Sequence, residues 1–255
     1  MYEYNQAFFT YIEIGAIRSA TKIIPLVLEK LNIDSVLDVG CGRGAWLKVW
    51  SKYVDIVHGI DGNYVDTNKL HFNKEGFFIR DLRSHFTTGR KYSLVQCLEV
   101  AEHLPEHCAS SFIKSLCSHS DLVLFSAAVP GQGGENHINE QPYYYWQNKF
   151  KNEGFIMLDP FRKKIMNDKD IEPWYRFNLF LFVKLETLEN DFRELHQYSI
   201  PENDYPKDIS PLHYKVRKFI IKALPLNIST FFARIKKYYI IFLTRILKTA
   251  KLNIC

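Results

Sequence analysis

Two hydrophobic rhythms alternate along the chain. Apolar positions repeat at helical spacing over Ser19–Lys30, whereas Ser35-Val36-Leu37-Asp38-Val39 is a short apolar run closed by Gly40, as a strand buried on both faces requires. The pattern then predicts a helix near Ala45–Lys52, strands near 54–60, 77–79 and 92–98, a helix around Pro105–Ser118 and a strand at Leu122–Phe125. A helix over Pro142–Asn152 and strands at Phe155–Leu158 and Phe177–Lys184 follow, the last of them antiparallel. Strand–helix alternation at this spacing predicts an α/β fold with a mostly parallel sheet covered on both faces. No internal repeat interrupts it. Ser199–Pro211 holds three prolines and reads as a linker, so the chain divides into a domain over 1–187 and an extension over 188–255.

That extension has its own pattern. Over Ile228–Lys248 a helical projection puts Arg234, Lys237, Arg245 and Lys248 on one stripe. Phe231, Phe232, Ile235, Tyr239, Phe242, Leu243 and Ile246 cover the other side. A basic face beside an aromatic one suits an interfacial helix at an anionic membrane surface. The competing expectation is that the apolar face docks on the domain and the cations are solvated. The charge balance sharpens the contrast. Residues 209–255 hold ten Lys or Arg and no acid, leaving 23 basic against 28 acidic residues in the rest. An acidic main domain speaks against a nucleic-acid partner. Five scattered cysteines without a Cys-x-x-Cys pair predict neither a disulfide framework nor a metal site, so no metal is expected. The first residues are acidic and aromatic, unlike a signal peptide, and no uncharged apolar run reaches ~18 residues. A cytoplasmic location, with contact at the inner membrane face, is expected.

Candidate chemistry begins at Asp38-Val39-Gly40-Cys41-Gly42-Arg43-Gly44, between a predicted strand and helix. Alternate glycines let the backbone turn tightly and approach a ligand. Their spacing differs from the dinucleotide fingerprint, and Asp38 suits a ligand bearing an ammonium and a sulfonium better than crowded phosphates. Asp61 closes the second strand, where an acid accepts both ribose hydroxyls of a nucleoside. Asp81 follows the third strand and is placed to accept from an adenine amino group. Three acids at the ends of three successive strands, on the edge where such sheets bind ligands, predict a nucleoside site.

The runs VLDVGCGRGAW, GIDGNYVD, IRDL, CLEVAEHLP, LFSAAVPGQGGENHINEQPYYYW and WYRFNLFLFV, in this order over roughly residues 15–185, resemble class I methyltransferases dependent on S-adenosylmethionine (SAM). More narrowly, they are similar to a bacterial group associated with capsule or lipopolysaccharide biosynthesis. The resemblance implies a Rossmann-like, seven-stranded sheet with SAM over the glycine-rich turn. It implies cofactor contacts from Asp38, Gly40, Gly42, Gly44, Asp61, Gly62, Tyr64, Asp81, Leu82 and the segment Cys97, Leu98, Glu99. It also implies a carbohydrate or nucleotide-activated sugar as acceptor, methylated on a sugar oxygen or on an attached group such as a phosphoramidate. Gln96 and Phe177 depart from the group's pattern, with any consequence falling on the substrate side.

A hydroxyl acceptor benefits from a base, and imidazole titrates near working pH. His137, flanked by Gln132, Asn139 and Glu140, is the first candidate and His103 the second. Gln132, Asn139, Glu140, Tyr145, Trp174 and Asn178 are candidate substrate contacts, and the glycine-rich Ala128–Gln141 segment reads as a loop that closes over the acceptor. Two alternatives stay open: a nucleic-acid methyltransferase, and a non-catalytic protein of the same fold serving membrane-associated assembly.

Overall fold

The computed structural model describes residues 6–201 and 204–252, without the side chains of 6–8, 10 and 243–252. Seven strands form one sheet: β1 Ser35–Val39, β2 Ile56–Asp61, β3 Phe77–Ile79, β4 Leu94–Leu98, β5 Leu122–Ser126, β6 Phe155–Leu158 and β7 Phe180–Lys184. Their order is β3-β2-β1-β4-β5-β7-β6. The first five run parallel, and β7 lies antiparallel between β5 and β6. This is a Rossmann-like sheet. The apolar runs of β1, β4 and β5 are buried at every position, the condition of central strands sandwiched by helices. The strand order reverses between β1 and β4, which opens a crevice beyond their carboxyl ends.

Nine α-helices are described: α1 Gln6–Leu28, α2 Leu47–Trp50, α3 Ala109–His119, α4 Tyr143–Lys151, α5 Arg162–Ile165, α6 Pro173–Asn178, α7 Leu185–Asp191, α8 Leu212–Lys222 and α9 Leu226–Leu252. Two core layers result. One packs α1 and α2 against the sheet around Ile23, Trp50 and Phe161; the other packs α3 and α4 around Phe112, Phe125 and Phe150.

The strand pattern matches expectation to within a few residues, and two helical expectations need correction. Helix α1 starts well before Ser19. Its first turns contain Ile12, Ile14 and Gly15, poor local helix formers, and tertiary packing overrides that preference. Ser19 Oγ donates to the Gly15 carbonyl at 2.8 Å and accepts from the Glu172 N–H at 3.0 Å. The aromatic run before β7, read as the start of a strand, is the helix α6, with Pro173 in its first turn as a proline-initiated helix favours.

The extension corrects the expectation that its apolar face docks on the domain and its cations are solvated. Lys237 is 2% exposed and pairs with Glu135 at 2.8 Å, and Arg234 lies 3.6 Å from the same carboxylate. Phe231, Phe232, Ile235, Tyr239 and Phe242 are each at least half exposed. The cationic stripe, as far as it is described, docks on the domain and the aromatic face looks outward. Arg245, Lys248, Leu243 and Ile246 lie outside the described side chains. Helix α9 packs against α1, and no described helix is long and apolar enough to cross a membrane.

Candidate active site

A cavity of about 980 Å³ opens over the crevice between β1 and β4. One wall is the glycine-rich turn. Gly40 and Gly42 take φ of 78° and 54°, a left-handed conformation that strains any residue with a Cβ. At Gly40 an added Cβ would also overlap Val100. The turn is pinned to β2. The Gly40 N–H donates to the Ile60 carbonyl at 2.8 Å, and the Gly42 N–H donates to Asp61 Oδ2 at 2.6 Å. Asp61 Oδ1 accepts from the Gly62 N–H at 2.7 Å and from the Tyr64 hydroxyl. Asp61 is buried, which raises its carboxyl above the usual range against these donors. Asp38, 4% exposed, faces the cavity too. Burial pushes its carboxyl up to about 7; the Gln96 amide on the next strand opposes this and the Asp61 charge adds to it.

The opposite wall is built from side chains. Glu99 ends β4 with φ of 58°, unusual for a residue with a Cβ, and accepts from Gln132 Nε2 at 2.6 Å. A relay continues outward: Asn178 Nδ2 donates to Gln132 Oε1 at 2.7 Å, and the Tyr143 hydroxyl donates to Asn178 Oδ1 at 2.9 Å. Beside it stand Glu102, His103 and His137. The two imidazole rings meet edge to face with centroids 4.8 Å apart. His137 Nδ1 bonds Glu140 Oε1 at 2.9 Å, and His103 Nδ1 bonds the Asn136 carbonyl at 3.1 Å. Burial and the neighbouring His137 drive the His103 imidazole down to about 3, so it is neutral. Burial, with Glu99 alongside, pushes the Glu102 carboxyl well up.

Of the residues singled out from sequence, Asp38, Gly40, Gly42, Asp61, Gly62, Tyr64, Asp81, Leu82, Leu98, Glu99, His103, His137, Gln132 and Trp174 line this one cavity. Several others do not. Gly44 turns toward Phe72, supporting the loop from behind. Cys97 lies in the sheet core, because strand alternation sends it to the face opposite Leu98. Asp81, although it lines the cavity, sits at the rim with its carboxylate clasped by Arg83 at 2.6 Å. Glu140 is spent on structure: besides His137 it accepts the Gly131 and Gly133 N–H groups, each at 2.7 Å. Asn139 is buried, and its Oδ1 accepts from Gln141. Tyr145 packs edge-on against Trp146, and Asn178 holds Gln132 without reaching the cavity. The segment read as a closing loop is clamped by Glu140 and by the extension, whose Arg217 donates to the Gln132 carbonyl at 2.9 Å. Sequence reasoning missed the contribution of Tyr214, Arg217, Lys236 and Lys237 from α8 and α9, which complete the far side of the cavity.

A family described as a methyltransferase domain matches residues 13–151. The chain belongs to this family. The turn and its two buried acids fit the amine and hydroxyls of SAM. Residue by residue, 89 positions are 32% identical to the ubiquinone biosynthesis O-methyltransferase of Shewanella sp. (strain ANA-3), covering 32% of this chain. The match spans 37% of that protein's length. Among solved structures, DesVI of Streptomyces venezuelae superposes with a TM-score of 0.53 at 17% identity, over 71% of this chain and 99% of that one. SAM-bound magnesium protoporphyrin IX methyltransferase from Synechocystis PCC 6803 gives 0.51 at 18%, over 72% and 86%. SAM-bound CalS10 from Micromonospora echinaspora, an amino pentose methyltransferase, gives 0.51 at 14%, over 72% and 99%. At these identities the structural likeness is one of fold.

Proposed function

We propose that this methyltransferase acts on an oxygen of a carbohydrate, or of a group attached to one, during bacterial surface-glycan assembly. The observation that carries the reading is the wall of Glu102, His103 and His137 on the cavity that also holds Asp38 and Asp61. SAM supplies a methyl group on a sulfur whose positive charge already makes it a good leaving group. What remains for the chain is to align the acceptor, exclude water and handle one proton. Asp61 would exchange the Tyr64 hydroxyl for those of the ribose, and Asp38 would face the cofactor's ammonium. His137, its Nδ1 proton held by Glu140, presents the basic lone pair on Nε2 toward the acceptor. Trp174 and Tyr214 offer flat faces to a sugar, and Arg217 and Lys236 suit a phosphate-bearing acceptor such as a nucleotide-activated sugar. The shared fold of CalS10, an amino pentose methyltransferase, agrees with such an acceptor.

The exposed aromatic face of α9 favours contact with a membrane surface, where a lipid-linked glycan would be presented. Flotation of the full chain with anionic vesicles checks that part; protein left at the bottom of the gradient removes it. The catalytic reading is tested by calorimetry with SAM, followed by transfer of labelled methyl to a panel of nucleotide-activated sugars and glycan fragments. Micromolar SAM binding with label on a sugar oxygen is expected. Label appearing on RNA instead would overturn the acceptor class.

A further inference from the structure

The wall that faces the methyl acceptor holds more ligating power than one proton transfer needs. Glu102, His103 and His137 each offer one ligand atom, and the three atoms lie within 4.8 Å of one another. We propose that these side chains hold a divalent transition-metal ion, leaving its other coordination positions open to the cavity and the acceptor. The proposal rests on the methyl-transfer reading of this pocket and refines it.

The carboxylate makes the strongest case. Glu102 is fully buried, and neither of its side-chain oxygens makes a hydrogen bond of ordinary geometry, the Glu102 and Ala128 N–H groups being the donors that bear on it. Glu99 on the same segment is half-buried against the cavity, and its Oε1 makes no hydrogen bond of ordinary geometry. Buried acidic oxygens without well-aligned donors are costly, and a cation between them and the imidazoles removes that cost. The backbone is organised to keep Glu102 where it is: its carbonyl accepts from the Ile138 and Asn139 N–H groups, both at 3.0 Å, which ties this segment to the one carrying His137.

The imidazoles are arranged as ligands. The Nδ1 of His103 meets the Asn136 carbonyl and that of His137 meets a carboxylate, so each ring carries its proton on Nδ1 and its lone pair on Nε2. An acceptor behind the protonated nitrogen is the outer-shell arrangement that orients metal-binding histidines. Gly134 lies directly under His137 Nε2, where any Cβ would overlap the ring. All three side chains line the cavity. Bonds of about 2.1 Å put ligand atoms roughly 3 to 4 Å apart, so the three close by about an ångström onto the ion. Two imidazoles with one carboxylate suit Zn²⁺, Co²⁺, Mn²⁺ or Fe²⁺ ahead of the oxygen-seeking Mg²⁺ and Ca²⁺. An acceptor hydroxyl bound to such an ion loses its proton to water more readily, and His137 then serves as a ligand in place of taking the proton itself.

The test uses the full chain, stripped with chelator and desalted. Titration with Co²⁺ should bring up visible ligand-field bands saturating at one ion per chain, with paramagnetically shifted N–H signals from two histidines. Zn²⁺ should give matching stoichiometry by calorimetry. Glu102→Gln and His137→Ala should weaken either ion by about 100-fold or more, their fold checked by circular dichroism. No bands, no shifted signals and no Zn²⁺ heat in the wild-type chain would overturn the site, as would unchanged affinity in folded variants. SAM calorimetry on the same stripped sample separates the two readings. SAM binding without Co²⁺ binding removes the ion alone, and loss of both removes the reading beneath it.

Discussion

The two walls of the cavity are made differently. The cofactor wall is largely backbone: Gly42 and Gly62 N–H groups converge on Asp61 from two adjacent strands, within a short stretch of chain. The acceptor wall is assembled from distant side chains. Asn178 reaches Gln132 across 46 positions, Arg217 reaches its carbonyl across 85, and Lys237 reaches Glu135 across 102. A wall set by local geometry survives loosening elsewhere, whereas one held by long-range pairs stands only while each partner is docked. The cofactor site should therefore be robust, and the acceptor site should depend on the extension.

The largest effect falls inside the cofactor wall. Asp61→Ala leaves two buried N–H groups without their acceptor and removes the ribose partner, so SAM affinity should fall about 100-fold or more by calorimetry. Glu135→Ala tests the other wall. It strips the buried Lys237 of its carboxylate, a loss of about 3–5 kcal/mol in such pairs, and should undock α9. Hydrogen exchange in α9 should rise and kcat/KM for the acceptor should drop roughly 30-fold, about 2 kcal/mol, with SAM affinity unchanged. If SAM affinity fell in step, the walls would not be independent.

A pH series sharpens the contrast further. The form of Asp38 that attracts a cation is the carboxylate, and its carboxyl sits at about 7. SAM affinity should climb by up to about tenfold per unit as pH rises toward 7 and level off above it. The sign for stability is opposite: a carboxyl raised in the folded state stabilises at low pH and loses that contribution as pH rises through about 7. Asp38→Asn should thus raise the Tm of the cofactor-free protein at pH 8 while flattening the binding profile. The smallest effect belongs to Tyr64→Phe. Removing the hydroxyl that occupies Asp61 should tighten SAM binding by about threefold, the scale of one neutral hydrogen bond.

The same contrast explains what was readable in the sequence. The glycine-rich turn and the acids at strand ends are local signals, fixed by strand period and turn chemistry, and Asp38, Asp61 and Asp81 line the cavity where that pattern puts them. His103 and His137 are each visible as candidates, but 34 positions of chain separate them, and their edge-to-face contact exists only after β4 and β5 pair. Glu140 looked like a substrate contact because it is polar in a glycine-rich run, yet three groups of its own segment claim its oxygens. Helical projection sorted α9 into two faces without saying which looks inward. That was decided by Glu135, whose 9% exposure leaves it needing a cation.

The position of α9 in the chain also sets an order of events during synthesis. The last strand of the sheet ends at Lys184, whereas α9 begins at Leu226. A growing chain on the ribosome therefore has every strand needed to shape the cofactor wall before the helix that completes the acceptor wall has been made. For that interval the cofactor wall's strands have only part of the pocket around them, and the acceptor wall is complete only once α9 has been made.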